Sequence, residues 1–381
     1  MSGLFPVYWK DRAVTGNLKS FLHHAWLSAC ADISARRRWR DGAENGGVFV
    51  YYGHDHVPTS SEAVGGGVVK CQDLARIFPN TLKRANLVYL VSSVLPYGSE
   101  IMIRHARRAG AKFVWNQNGV AYPAWHGPGW EIVNTEMSEL LHEADHVFYQ
   151  STFCRQSADL YLGRKNGPSE VLYNPVDTKI FVPGQRRRDG LRLLLAGSHQ
   201  HAYRVISALE TLALLKDSVR DVRLTVAGKY SWKSDQDDAR HEVKKWAKQH
   251  GVEDVVDFRG EYSQNQAVSL MQEHDILLHT KYNDPCPRLV VEAMACGIPV
   301  VYSASGGVTE LVGEEGGVGV PALLDWNKDI PPDPEKMALA VKKVAESLEA
   351  FSLSARHRAV ARFDVRPWID RHETVFKLLV C

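Results

Sequence analysis

Asp284 and Glu292 stand eight positions apart in the stretch 275–313, DILLHTKYNDPCPRLVVEAMACGIPVVYSASGGVTELVG. A carboxylate only accepts hydrogen bonds, and the hydroxyls of a sugar or a ribose are natural donors to it. Between the two acids lie Cys286, Pro287, Arg288 and Leu289, where a helix opens. The first backbone N–H groups of a helix have no partner inside it and can hold a phosphate. Two acceptor-only groups flanking such a helix start suit a polyhydroxylated ligand that carries a phosphate.

These groups need elements to hold them. Residues 276–278 read as a short apolar strand, 281–287 as a polar, proline-bearing loop, and 288–296 as a helix with Leu289, Val290 and Ala293 on one side. Gly297 stops that helix, because a residue without Cβ adopts the left-handed cap cheaply. A second apolar strand, 298–302, runs through Ser305-Gly306-Gly307 into a helix from Val308. In an open parallel sheet, ligands bind beyond the carboxyl ends of such strands.

The ordered string Asp-x7-Glu, EAMACGIPVV and SGGVTELV resembles the C-terminal donor site of retaining GT-B glycosyltransferases of family 4. That family usually shows Glu-x7-Glu, so Asp284 is one methylene shorter. Ala144-Asp145-x-Val147, Gln150-Ser151, Asn174-Pro175-Val176-Asp177 and Phe181-x-Pro183 resemble the end of the N-terminal domain of the same family. The resemblance thus covers most of the chain. It implies an α/β GT-B fold, two doubly wound Rossmann-like domains facing across a cleft. The expected boundaries are 1–185 for an acceptor-binding domain, 186–365 for a nucleotide-sugar domain, and 366–381 for a helix that crosses back.

The resemblance also implies roles. Glu292 is expected to hold the ribose and Asp284 the donor-sugar hydroxyls. The family usually places an arginine just after the glycine that ends the first strand of the second domain, here Gly197, and a lysine some five residues on. Ser198 and Tyr203 occupy those places here, so the diphosphate needs another cation, and Arg204, Lys229 and Arg288 are the candidates. Leaving diphosphate gains negative charge as the glycosidic bond breaks, so a cation is required. Arg259 lies at a turn that sits near the nucleobase in the family. Asn118 stands where the family often has a histidine facing the reacting sugar. An amide cannot act as an acid or base there, but it can hydrogen-bond a hydroxyl.

For the acceptor, Asn116 and the loop with Tyr122, Trp125 and His126 offer amides and exposed rings at a strand's carboxyl end, with Gly16 in a polar loop near the N-terminus. Residues 4–9 read as a first strand. Residues 18–38 read as a helix whose Leu22 and Trp26 belong to a core stripe. Its tip of Arg36, Arg37, Arg38 and Arg40 reads first as a solvated helix end that complements the macrodipole, with a basic surface for anionic lipid head groups or phosphate-bearing acceptors as the alternative. His54-Asp55-His56 matches no common zinc spacing, and Asp235-Gln236-Asp237-Asp238 belongs to a charged, solvated helix rather than a metal motif.

Composition narrows the classes further. A chain of 381 residues suits two domains, and a formal net charge of +2 gives no case for nucleic acid. The six cysteines are scattered, with no CxxC pair, which suits reduced thiols rather than a disulfide framework. No apolar run spans a bilayer and the N-terminus lacks a signal-peptide core. The expectation is a cytoplasmic enzyme, peripheral to the inner face of the membrane. It would move a sugar from a nucleotide diphosphate sugar to a sugar-containing or lipid-linked acceptor, with no metal or other cofactor. A nucleotide-sugar-binding protein without transferase activity is the alternative, motivated by Asn118, Ser198, Tyr203 and Asp284.

Overall fold

The computed structural model describes residues 18–59, 62, 66–185 and 189–381. The proposed strand 4–9 and Gly16 lie outside them. Two parallel sheets form the scaffold. The first holds β1 (Val50–Tyr51), β2 (Leu87–Val91), β3 (Lys112–Gln117), β4 (His146–Tyr149) and β5 (Ser169–Val171), in chain order. The second holds β6 (Arg192–Leu195), β7 (Arg223–Ala227), β8 (Val256–Arg259), β9 (Ile276–His279), β10 (Val300–Ala304) and β11 (Gly317–Pro321). Its order is β11-β10-β9-β6-β7-β8, so the chain winds outward from β6 to β8 and then restarts on the other side.

Parallel strands covered on both faces must be apolar throughout. LVYLV of β2 and ILLH of β9 are buried at every position. In the first sheet one face packs on helices Ser99–Arg108 and Trp130–Glu143, through Ile103, Ala106, Met137 and Leu140. The other face packs on helix Gly66–Ala75 and on the last helix, Val365–Val380, through Leu74, Trp368, Val375 and Phe376. The last helix therefore lies on the first sheet. His372 from that helix is buried against Tyr89, Phe148 and Trp368, and burial pushes its imidazole down to about 3. Pro367 sits in the first turn of this helix, where its missing N–H costs nothing, rather than interrupting it.

Three segments differ from what their sequence suggests. The acidic, Gly-rich stretch 313–319 reads as a loose connection, yet residues 317–321 form the edge strand β11, because β10 supplies a parallel partner at every position. Residues 335–351 read as one helix, but that helix ends at Glu346 and a new one runs Leu348–Phe363. Helix Leu18–Arg38 forms, but Leu22, Trp26 and Ile33 are exposed, not core. Its contact face is instead His24, Ser28, Ala31 and Asp32. His24 and Ser28 reach Tyr97, and Asp32 reaches His105 at 2.8 Å. Close approach at Gly98, 2.7 Å from the Ala31 Cβ for an added carbon, selects the small-residue face over the large one.

The two units are tied together. The N-terminus of helix Thr152–Tyr161 donates its Thr152 and Phe153 N–H groups to Glu310 of the second unit, both at 2.8 Å. Asn174 donates to the Cys286 carbonyl at 2.6 Å, and Ser151 to that of Pro285 at 2.7 Å. Ala124 donates to the carbonyl of Trp326, whose ring lies among Tyr122, Phe153 and Tyr161. The described residues include no helix long and apolar enough to cross a membrane.

Candidate active site

The order of the second sheet reverses between β6 and β9, and in such sheets ligands bind beyond the carboxyl ends of the strands at that switch point. After β6 the chain turns at Gly197; after β9 it enters the loop with Asp284. A Cβ on Gly228, which follows β7, would lie 2.0 Å from the Gly197 carbonyl oxygen. Only glycine lets these two strand-end turns meet. The Leu289 side chain closes on the same turn. The Asp284 loop is clamped from beneath, since Asn283 N–H donates to Ser305 Oγ and Gly307 N–H to the Asp284 carbonyl at 2.9 Å.

Asp284 is buried and held by one cation and one imidazole. His279 Nε2 lies 3.1 Å and Lys281 Nζ 3.3 Å from its Oδ2. Burial pushes the carboxyl up, but Lys281, His279 and Arg204 more than offset it and hold it below the usual carboxylate range. Burial lowers His279, so this imidazole is neutral at pH 7. Lys281 also lies 4.8 Å over the Trp125 ring from the first unit. A Cβ on Gly119 would meet Pro285 at 3.2 Å, so the Asn118-Gly119 turn after β3 faces the Asp284 loop across the cleft. The Asn118 Oδ1 atom is buried there without a partner.

Glu292 lies one turn into helix Arg288–Ala295 and is 9% exposed. Arg288 Nε donates to its Oε1 at 2.9 Å, and Arg288 Nη1 donates to Asp73 of the first unit at 2.6 Å. Burial raises the Glu292 carboxyl, with Arg288 acting against it. Asp73, Arg288 and Glu292 form one ionic chain through the cleft floor.

The remaining candidates separate. Arg204 is near the site but points its guanidinium at the carbonyls of Ser198 (2.5 Å) and Ala196 (3.5 Å). Lys229 is exposed beside Gly228. Cys286 is buried, and Pro287 is the N-cap of the Glu292 helix. Arg259 is turned toward the residues that lead into β9, paired with Asp257 and Glu273 at 2.8 and 2.7 Å. Asn116 is 1% exposed and bonded to Gln150, so it belongs to the first core. Tyr122 is buried beneath Trp326 rather than open to a sugar face. Trp125 and His126 are half-buried in the short helix Pro123–His126 at the cleft.

The sequence left Lys70, Asp73, His279 and Lys281 unmarked. Lys281 carried one signal, its place three residues before Asp284. Lys70 and Asp73 carried another, two charges three apart in an otherwise apolar helix, GGVVKCQDLA. Among the described residues no group of three or more His, Cys, Asp or Glu gathers to hold a metal.

Residues 177–353 match the family described as Glycosyl transferases group 1. Over 268 residues the chain is 25% identical to "Glycogen synthase" of Mycobacterium tuberculosis, which covers 68% of this chain and 58% of that protein. It is 30% identical over 172 residues to "D-inositol 3-phosphate glycosyltransferase" of Stackebrandtia nassauensis, covering 41% of this chain and 38% of that one. The chain spans about half the length of the curated relatives it matches. Among solved structures, sucrose-phosphate synthase from Thermosynechococcus elongatus superposes with a TM-score of 0.64 at 17% identity, over 77% of this chain and 74% of that one. Anabaena HepE in complex with UDP-glucose gives 0.61 at 20%, over 76% and 78%. The two facing α/β units are a GT-B fold.

Proposed function

We propose that the chain is a retaining glycosyltransferase of family 4. It takes a sugar from a nucleotide diphosphate sugar and transfers it to an acceptor hydroxyl in the assembly of a surface polysaccharide or glycoconjugate. The observation that carries this reading is the pair Asp284 and Glu292 at the switch point of the second sheet, around a helix N-terminus and opposite the Asn118 turn. The match over residues 177–353 and the UDP-glucose complex of HepE support it.

In this mechanism Glu292 takes a ribose hydroxyl on Oε2 while Arg288 holds Oε1. Asp284, kept ionised by Lys281 and His279, accepts from donor-sugar hydroxyls. Asn118 Oδ1 meets the sugar from the other side. The N–H groups at the helix start stabilise the leaving diphosphate. Positive charge comes from the protein, so no metal is required. Trp125 and His126 line the acceptor side, and closure of the two units around the bound donor excludes water. The exposed Leu22, Trp26 and Ile33 beside Arg36, Arg37 and Arg40 support contact of the first helix with an anionic lipid surface.

The engagement of Glu292 by Arg288 favours one second reading, a nucleotide-sugar-binding protein without transfer. Slow hydrolysis of the donor separates the two. Incubation with UDP-, GDP-, ADP- and TDP-sugars should release the nucleoside diphosphate from one of them. Tight binding with no release over days would leave the binding protein.

A further inference from the structure

Among the described residues, several polar groups on the first unit's side of the cleft end without a partner, and Lys70 is the charged one. Lys70 is 2% exposed, and among the described residues no carboxylate lies within 4.0 Å of its ammonium. The titratable groups that face it are Cys286, Arg288, Cys71 and Cys154. Burial pushes the Cys71 and Cys154 thiols up to about 12 and raises Cys286 as well, so all three stay neutral. Two cations therefore meet at this point, and both neighbouring acids, Asp73 and Glu292, are spent on Arg288. Ser93 Oγ and Asn118 Oδ1 are also buried and unpartnered. Ser93 adjoins the Lys70 helix, since a Cβ on Gly67, three residues before Lys70, would lie 2.6 Å from Ser93 Oγ, and Asn118 N–H donates to the neighbouring Ser92 Oγ at 2.9 Å.

A buried ammonium without a counter-charge is costly, and a fold keeps one where a ligand supplies the anion. The facing element is the start of helix Arg288–Ala295. Its N-cap is Pro287, with no capping side chain, and the N–H groups of Arg288 and Leu289 find no acceptor among the described residues. The cations named by sequence do not fill this place. Arg204 is bound to carbonyls, Arg288 is neutralised, and Lys229 is exposed at another turn.

We propose that Lys70 is the first unit's phosphate-binding cation. Its ammonium and the N–H groups of Arg288 and Leu289 clamp the diphosphate of a nucleoside diphosphate between the two units, with Ser93 Oγ in hydrogen-bonding support. The proposal rests on the donor-site reading above and adds to it a residue from the opposite domain.

Lys70→Met tests it, because the variant keeps the side-chain length and removes the charge. UDP, GDP, ADP and TDP, and the matching nucleosides, are titrated against wild type and variant, and both are melted without ligand. The wild type should bind one diphosphate. The variant should melt higher than wild type, bind the matching nucleoside equally well, and bind the diphosphate about tenfold or more weaker, the value of one charge-assisted hydrogen bond. Equal diphosphate affinity in the two proteins would overturn Lys70's role while leaving the donor site standing. Failure of the wild type to bind any of the four diphosphates would overturn both. Lys70→Gln carries the same prediction if the Met variant does not fold.

Discussion

At the scale of single residues, the cleft is a problem of counting charges. Asp284 has Lys281, Glu292 has Arg288, and Arg288 has Asp73. Lys70 has no anion among the described residues, and burial pushes its ammonium down to about 8 from an ordinary 10.5. The sign of the consequence is fixed. The cation is disfavoured in the fold, so the penalty is complete below pH 8 and fades as pH rises to 10.5, where the unfolded chain also gives up its proton. Lys70→Met should therefore gain about 3 kcal/mol at pH 7 by chemical denaturation, and the gain should vanish toward pH 10.5. A flat difference across that range would mean the Met side chain stabilises by packing alone. Asp284 and Glu292 were legible because their spacing resembles a family's pattern, and Asp73 was not. Lys70 was not, because a lysine in an apolar helix face shows in sequence only as an interruption. What makes it informative is the missing partner, and that is a property of three dimensions.

At the scale of elements, strands were the most readable parts, since fully buried parallel strands are continuous apolar runs such as Leu87–Val91. The edge strand β11 was obscured by its glycines. Gly317 packs against the backbone of Val300, where a Cβ would lie 1.9 Å from the carbonyl oxygen, so the composition that suggested a loop is what allows the pairing. Helix Leu18–Arg38 misled in the opposite way. Its apolar stripe was visible, but the neighbour at Gly98 admits only the small face. One helix terminus shares its cap with the other domain, since Ser151 Oγ accepts only from Cys154 N–H. Glu310 accepts from Thr152 and Phe153 N–H, a cap supplied from more than 150 residues away in sequence. Glu310→Ala should cost about 1–2 kcal/mol, the ordinary value of a lost helix cap, seen as a lower midpoint in thermal melting. An unchanged midpoint would show that water caps the helix as well.

At the scale of the whole molecule, two sheets face each other across an interface that is packed as well as bonded. One apolar cluster runs from Trp115 and Tyr122 of the first unit to Val290 and Leu277 of the second. The strap with Trp326 is its outermost tie. Asp325 and Leu323 bond Tyr282 beside the Asp284 loop, while the Trp326 ring sits among Tyr122, Phe153 and Tyr161. Trp326→Ala should cost about 2–3 kcal/mol, less than a full core tryptophan because the ring is partly exposed, and should expose the Tyr122 ring to limited modification. Intact stability in that variant would show that the strap rests on the surface without holding it. The two-sheet architecture was legible in sequence, and so was the strand–loop–helix unit that carries Asp284 and Glu292. The burial of Asn116 against Gln150 and the pairing of Arg259 with Asp257 and Glu273 were not, because a place at a strand's end does not say which way the side chain turns.

The central claim is that Glu292, at the start of its helix in the switch-point crevice, holds the donor. Arg288 keeps Asp73 at 2.6 Å when Glu292 is removed, so Glu292→Ala should remain folded. The decisive measurement is release of nucleoside diphosphate from the nucleotide sugar that the wild type turns over, compared with the folded Glu292→Ala protein. Loss of release in the variant, on the order of a hundredfold or more, is the expected result. Full release by the variant would contradict the assignment of this crevice as the donor site.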